Sequence, residues 1–169
     1  MWGQSVIYLI TFACYGCHLH GSESGSVDPE HNVPGTPILE VVSMRAAAEG
    51  ELMDQAPYEL DQTRRDAVLE AIQEVCLHRG WGLRAAHVRS NHVHLVADAE
   101  VPPERVMSDF KAYASLRLNR MRLDEPNRKR WARHGSTRWL WQPQHVSAAM
   151  QYVVAEQGDA MSAFESDEL

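Results

Sequence analysis

The chain has 169 residues, 16 Lys and Arg against 23 Asp and Glu for a formal charge of -7, and 44% hydrophobic residues, a composition that fits one globular domain and excludes collagen, coiled coil and wholesale disorder. The apolar run Val6 to Cys14 is interrupted by Thr11 and falls far short of the ~20 residues that span a bilayer, so no membrane helix is expected. No Lys or Arg precedes Arg45, which argues against an export signal, and three cysteines are too few for a disulfide framework; a cytoplasmic protein with free thiols is expected.

Residues 6–14 (VIYLITFAC) are rich in β-formers and alternate in polarity, which predicts a first strand ending near Gly16. From about 21 to 57 the chain carries Gly21, Gly25, Pro29, Pro34, Gly35, Pro37, Gly50 and Pro57 around a short ILEVV run. A long loop of this kind in a compact domain is usually functional. From about Asp61 to His78, Val68, Leu69, Ile72, Val75 and Cys76 recur at helical spacing, with Gly80 as the stop. Two strand-like runs, 81–88 and 92–99, joined by Arg89-Ser90-Asn91, predict a hairpin. A second helix starts near Pro103, with Val106, Phe110, Tyr113, Ala114 and Leu118 as its apolar stripe and Lys111, Arg117 and Arg122 opposite. After a basic stretch at 127–138, WLW predicts a short strand, and Pro143 opens a third helix to about Gln157 ahead of Gly158. Residues 159–169 read as an acidic tail, unstructured at its end. The order of elements predicts an α+β, ferredoxin-like sandwich, an antiparallel sheet with helices packed on it, forming one domain over residues 1–158.

Charge is segregated along this chain. Residues 101–142 hold ten basic and four acidic side chains, against six and fourteen in residues 1–100 and none and five in 143–169. Tyr113, Trp131, Trp139 and Trp141 are interleaved with the basic residues. Cations for phosphates and aromatic faces for unstacked bases are what a single-stranded nucleic-acid site requires. A solvated helix face with core tryptophans accounts for the same pattern.

His92-Val93-His94 is the sharpest local feature, because a strand places residues i and i+2 on one face. Two neutral imidazoles so placed can share a divalent ion and leave positions open for a third ligand and a substrate oxygen. On the third helix Tyr152 and Glu156 lie four residues apart and share a helical face, whereas Gln157 lies further around the cylinder. A tyrosine on the more polar side of a helix, one turn before a carboxylate, is a candidate nucleophile beside a candidate metal ligand. Phenol has a pKa near ~10, so a polarised electrophile or a positive neighbourhood is needed to use it.

Taken together, YLITFACYG at 8–16, LHGSESGSVDPEHN at 19–32, CLHRGW at 76–81, RSNHVHLV at 89–96, VMSDFKAYASLRLN at 106–119, WARHGSTRWLWQP at 131–143 and AAMQYVVAEQG at 148–158 resemble the small single-tyrosine HUH transposases of insertion sequences, particularly their REP-associated relatives. The resemblance implies that His92 and His94 are metal ligands flanking the hydrophobic Val93, that Tyr152 is the nucleophile, and that the third ligand, one turn after it, is Glu156, with Gln157 the neighbouring alternative. It further implies Mg²⁺ or Mn²⁺ as cofactor, a substrate of single-stranded DNA carrying a hairpin, and a homodimer in which the tyrosine helix can dock on the partner. The expected reaction is strand cleavage and rejoining through a 5′-phosphotyrosine, with Lys111, Arg117, Arg128, Lys129, Arg130, Arg133 and Arg138 holding the DNA backbone.

Other readings compete with this one. Cys14-Tyr15-Gly16-Cys17-His18 matches the covalent haem pattern, but such attachment needs export, and the cysteines end a predicted strand. A zinc site from Cys14, Cys17, His18 and His20 is crowded into seven residues with no distant second pair. A catalytically silent or domesticated sequence-specific DNA-binding protein of the same fold is the alternative function, and loss of either histidine or of Tyr152 would have favoured it. Hydrolysis by a metal-activated water would make Tyr152 a bystander. Tyr113 is the rival nucleophile, and its place in the apolar stripe points instead to packing.

Overall fold

A computed structural model describes residues 4–17 and 53–167. The expected loop at about 21–57 therefore lies outside the described residues except for 53–57, as do His18 and His20. The elements are β1 (Val6–Cys14), α1 (Gln62–Arg79), β2 (Gly82–Val88), β3 (His92–Ala99), α2 (Pro103–Met121), β4 (Trp131–Leu140), α3 (Pro143–Ala155) and β5 (Ser162–Glu165). All strand pairs are antiparallel, and the order across the sheet is β4-β1-β3-β2-β5. The succession from β1 to β4 is the ferredoxin-like one, with β1 and β3 in the middle of the sheet.

Local chemistry sets the helix ends. The Asp61 side chain accepts a 2.9 Å bond from the Arg64 N–H to cap α1, and Gly80, at φ 73°, closes it in the left-handed conformation that glycine adopts without strain. Pro103 and Pro143 open α2 and α3, where a missing N–H costs nothing.

Strand alternation divides the side chains between two faces. Tyr8, Ile10, Phe12, Val93, Leu95 and Ala97 form a core with Val68, Ile72 and Val75 of α1 and Val106, Phe110 and Leu118 of α2. The opposite face packs Ala85, Val96 and Leu140 against Val146, Ala149, Met150 and Val153 of α3. Cys14 is buried in the first of these cores, which suits a packing residue rather than a haem or zinc ligand.

Two elements differ from expectation. The basic stretch before WLW is most of a ten-residue strand, β4, running from Trp131. Its polar composition hides it, because β4 is an edge strand held by pairing with β1 rather than by apolar alternation. Gly135 permits that pairing: a Cβ there would stand 2.5 Å from the Thr11 carbonyl oxygen and 2.7 Å from Met107 Sδ. The acidic tail also contributes β5, which pairs with β2 at the other edge. Among the described residues no helix is long and apolar enough to cross a membrane.

Candidate active site

His92 and His94 lie on the α3 face of β3, with ring centroids 4.5 Å apart. His94 is opposite Thr11 on β1 and opposite His87 on β2, so the three side chains form one row across the middle of the sheet. The Thr11 hydroxyl lies 2.9 Å from His94 Nδ1, and the Asn91 side-chain oxygen lies 2.6 Å from His92 Nδ1. An amide oxygen can only accept, so His92 Nδ1 carries the proton and its Nε2 keeps a lone pair. His94 Nε2 is buried without a hydrogen-bond partner among the described residues. Burial, reinforced by the Arg89 charge and by His87, holds His92 down to about 4. Burial with His92, His87 and Arg89 holds His94 down to about 3. Both rings are therefore neutral at pH 7, and an orphaned buried nitrogen beside a second neutral imidazole is a donor set that fits a divalent cation.

Tyr152 projects from α3 to the same place. Its ring is 5.6 Å from that of His94, at 73°, and it is partly buried against the small core that fixes α3 to the sheet. The site is thus assembled within one chain. Tyr113, on α2, packs at the opposite face and meets His78 at 6.4 Å, so the rival tyrosine is on the wrong side of the sheet to reach the histidines.

Glu156 and Gln157 lie at the end of α3. Glu156 caps the helix at φ -106° and ψ 14°, and its N–H still reaches the Tyr152 carbonyl at 3.4 Å. Glu156 is exposed, and among the described residues no three His, Cys, Asp or Glu side chains converge as a ligand group. Gln157 is instead turned back toward the site. Its Nε2 donates to the Tyr152 carbonyl at 3.3 Å, and its side chain is near enough to His94 to favour the protonated ring.

His87 carries no role in the sequence reading, yet it is fully buried and uses both ring nitrogens. Nδ1 pairs with the Val153 carbonyl at 2.9 Å, and Nε2 accepts the Met161 N–H at 2.9 Å. Burial keeps its proton affinity below the ordinary histidine value. It ties the residue next to Tyr152, and the chain beyond α3, to the sheet beside His94. Strand alternation within AAHV, registered against His94, was the signal for it.

The seven basic residues expected to hold DNA separate into two groups. Lys111 is largely buried and donates to the Ala132 carbonyl at 3.0 Å. Arg117 pairs with Glu70 at 2.8 Å and with Glu74, joining α2 to α1. Arg128 donates to Gln55 and the Ala56 carbonyl, Lys129 pairs with Asp54 at 2.8 Å, and Arg130, buried, pairs with Asp124 at 3.3 Å. Arg133 and Arg138 are exposed and have no partner among the described residues. Arg138 is opposite Leu9 and so belongs to the histidine face. Of the tryptophans, Trp131 is structural: it packs on Phe12 and donates to Ser115 Oγ at 2.9 Å. Trp139 and Trp141 stack on each other with centroids 5.2 Å apart, and Trp141 is 70% exposed.

The family model described as "Transposase IS200 like" matches residues 58–157, well over half of the chain and inclusive of both histidines and Tyr152. Among solved structures, the REP-associated tyrosine transposase bound to a REP hairpin is similar with a TM-score of 0.51 and 9% identity, covering 92% of this chain and 68% of that one. At that identity the likeness speaks for the fold alone. A candidate transposase from Deinococcus radiodurans R1 gives a TM-score of 0.47 and 16% identity over 93% of this chain and 94% of that one. No curated protein matches the sequence.

Proposed function

The chain belongs to the IS200-like transposase family, and on that premise we propose that it cleaves and rejoins single-stranded DNA near hairpins, with Tyr152 as the nucleophile and a divalent metal, Mg²⁺ or Mn²⁺, as cofactor. The observation that carries this reading is the Tyr152 ring 5.6 Å from His94, whose Nε2 is buried and unpartnered. The His92 and His94 Nε2 atoms would hold the ion, with Gln157, whose side chain lies against His94, proposed as the third ligand in place of the exposed Glu156. When bound, the ion supplies Lewis-acid polarisation of the scissile phosphate. Thr11 and Asn91 hold the two imidazoles in the orientation that keeps Nε2 available.

In the proposed reaction the Tyr152 phenolic oxygen attacks phosphorus in line and loses its proton to solvent. The bond to the 3′ oxygen breaks, leaving a 5′-phosphotyrosine and a free 3′-OH. The phosphodiester energy is kept in the new linkage, so attack by another 3′-OH regenerates Tyr152 and joins strands without a nucleotide cofactor. His87, through the Val153 carbonyl, keeps α3 in place while this happens. Arg133 and Arg138, exposed and without a partner among the described residues, are the cations proposed for the DNA backbone, and exposed Trp141, stacked on Trp139 where that ring meets Tyr8, offers a face for an unpaired base. A DNA hairpin as partner is supported by the ligand of the structurally similar REP-associated transposase. A homodimer belongs to the same proposal.

Incubation with pooled single-stranded hairpin DNAs and Mn²⁺ tests the proposal. A denaturant-resistant protein–DNA adduct is expected, and none in EDTA. Abundant cleavage without adduct would assign the attack to water, and binding without cleavage would leave a silent DNA-binding relative.

A further inference from the structure

The hairpin between β2 and β3 carries a cation that the reading above does not use. Arg89 follows His87 by two residues, and its N–H bonds to the His92 carbonyl at 2.9 Å, so its side chain leaves the sheet on the face of His87, His92 and His94. Its NH1 donates to the Asp159 carbonyl at 3.0 Å and stands 3.4 Å from His87 Nε2, a nitrogen already taken by the Met161 N–H. NH2 passes Gly158, where a Cβ would stand 3.7 Å away. Neither NH2 nor Nε has a hydrogen-bond partner among the described residues, and no carboxylate there pairs with the guanidinium. The side chain is nevertheless half-buried. Nε and NH2 are not sealed from solvent, so both donors remain open to an incoming anion. Its charge is felt by both imidazoles, which it helps to keep neutral.

We infer that Arg89 is a second cationic contact for the scissile phosphate, donating Nε and NH2 to a non-bridging oxygen across the site from the histidine pair. Charge on those oxygens is what phosphoryl transfer must accommodate at its transition state, and a planar two-donor fork fits them better than an ammonium. The tie from NH1 to the Asp159 carbonyl holds the fork, since it fixes one nitrogen and leaves NH2 and Nε without a partner among the described residues. The inference rests on the proposed strand-transfer function.

Two measurements on the full chain decide it. In the first, the adduct is followed for wild type, Arg89→Gln and Arg89→Lys, with Mn²⁺ affinity and the unfolding temperature recorded for each. Arg89→Gln is expected to slow adduct formation by about 100-fold while binding Mn²⁺ at least as tightly, because a repelling charge is gone; Arg89→Lys recovers about tenfold of the loss. Adduct formation by Arg89→Gln within about threefold of wild type would overturn the inference. So would equal losses in both variants accompanied by a lower unfolding temperature, which would make Arg89 only a strut for the segment after α3. In the second, the Arg89 Nε–H resonance, assigned by its absence in Arg89→Lys, is followed during titration with inorganic phosphate in the presence of Mg²⁺. A saturable shift is expected. If wild type forms no adduct, the strand-transfer reading has failed, and the titration alone decides whether Arg89 is an anion contact; an unmoved resonance overturns it.

Discussion

On one face of the sheet Tyr8, Ile10, Phe12, Val93 and Leu95 are sealed beneath α1 and α2, and the basic residues around that layer are engaged in ion pairs and carbonyl contacts. On the other face Thr11, His94 and His87 cross the same strands in the alternate row, under a single helix whose apolar cluster is much smaller. A one-residue step along β3 thus changes a side chain's task from holding the fold to presenting a nitrogen. The first face keeps two buried polar atoms without a hydrogen-bond partner among the described residues, Arg65 Nε on α1 and Asp109 Oδ2 on α2, the latter 3.5 Å from Arg79 Nε. On the second face the buried nitrogen without a partner among the described residues, His94 Nε2, stands beside a second imidazole and a tyrosine, and that grouping distinguishes it.

The comparison is broken most severely by a core truncation. Phe110→Ala, beneath the sheet, is expected to cost about 3–5 kcal/mol of stability, read from the denaturant midpoint, while leaving the site chemistry of the protein that remains folded unchanged. His94→Ala on the other face is expected to cost under about 1 kcal/mol, because lost packing is offset by removal of an unsatisfied atom, and to abolish adduct formation at low Mn²⁺. Equal stability losses from the two would show that the faces are not divided in this way.

Contacts to DNA come next in size. Trp141→Ala should weaken binding of single-stranded DNA by about 1–3 kcal/mol, and Arg138→Ala should reduce the salt dependence of binding by about one phosphate contact. Arg117→Ala, on the structural side, should change stability slightly and the salt slope not at all. Filter binding at several salt concentrations distinguishes these outcomes, and an equal slope change for Arg117 and Arg138 would contradict the sorting.

Third ligands give a smaller effect. Gln157→Ala should weaken Mn²⁺ binding by about tenfold, whereas Glu156→Gln should leave it unchanged by calorimetry. The reverse result would restore the helical extrapolation from Tyr152.

Acid has the mildest influence. The folded-state values of His92 and His94 are depressed to about 4 and about 3, below the ~6.5 of an unfolded chain. The unfolded state therefore binds more protons below that value, and stability present at pH 7 is lost progressively as pH falls from about 6.5 toward the two folded values. In metal-free protein the denaturant midpoint should fall between pH 7 and pH 5, and His94→Ala should flatten the fall.

Much of this division is legible in the sequence. The histidine pair is readable because a strand alternates its faces, and Tyr152 is readable because α3 is a regular helix up to that point. Helical spacing from Tyr152 points to Glu156, but which of Glu156 and Gln157 turns its side chain inward at the helix end is not written in the spacing: Glu156 is exposed and Gln157 is half-buried. Most of β4 is hidden in the sequence because edge pairing with β1, not composition, makes it a strand. The basic stretch could be counted but not sorted, since whether a cation is free depends on partners such as Glu70, Asp54 and Asp124 that lie far away in the chain. His87 and Arg89 lacked a signal of their own and acquire meaning only through register with His94 and His92.

The central claim is that the face carrying the histidines also carries the nucleophile, and the most direct test compares two tyrosines. Tyr152→Phe removes one oxygen and keeps the ring's packing, so the variant should fold, bind Mn²⁺ and bind hairpin DNA while forming no denaturant-resistant adduct; Tyr113→Phe, on the opposite face, should form adduct at the wild-type rate. An active Tyr152→Phe beside an inactive Tyr113→Phe would move the chemistry to the other side of the sheet. Undiminished adduct formation in both would contradict attack by either tyrosine.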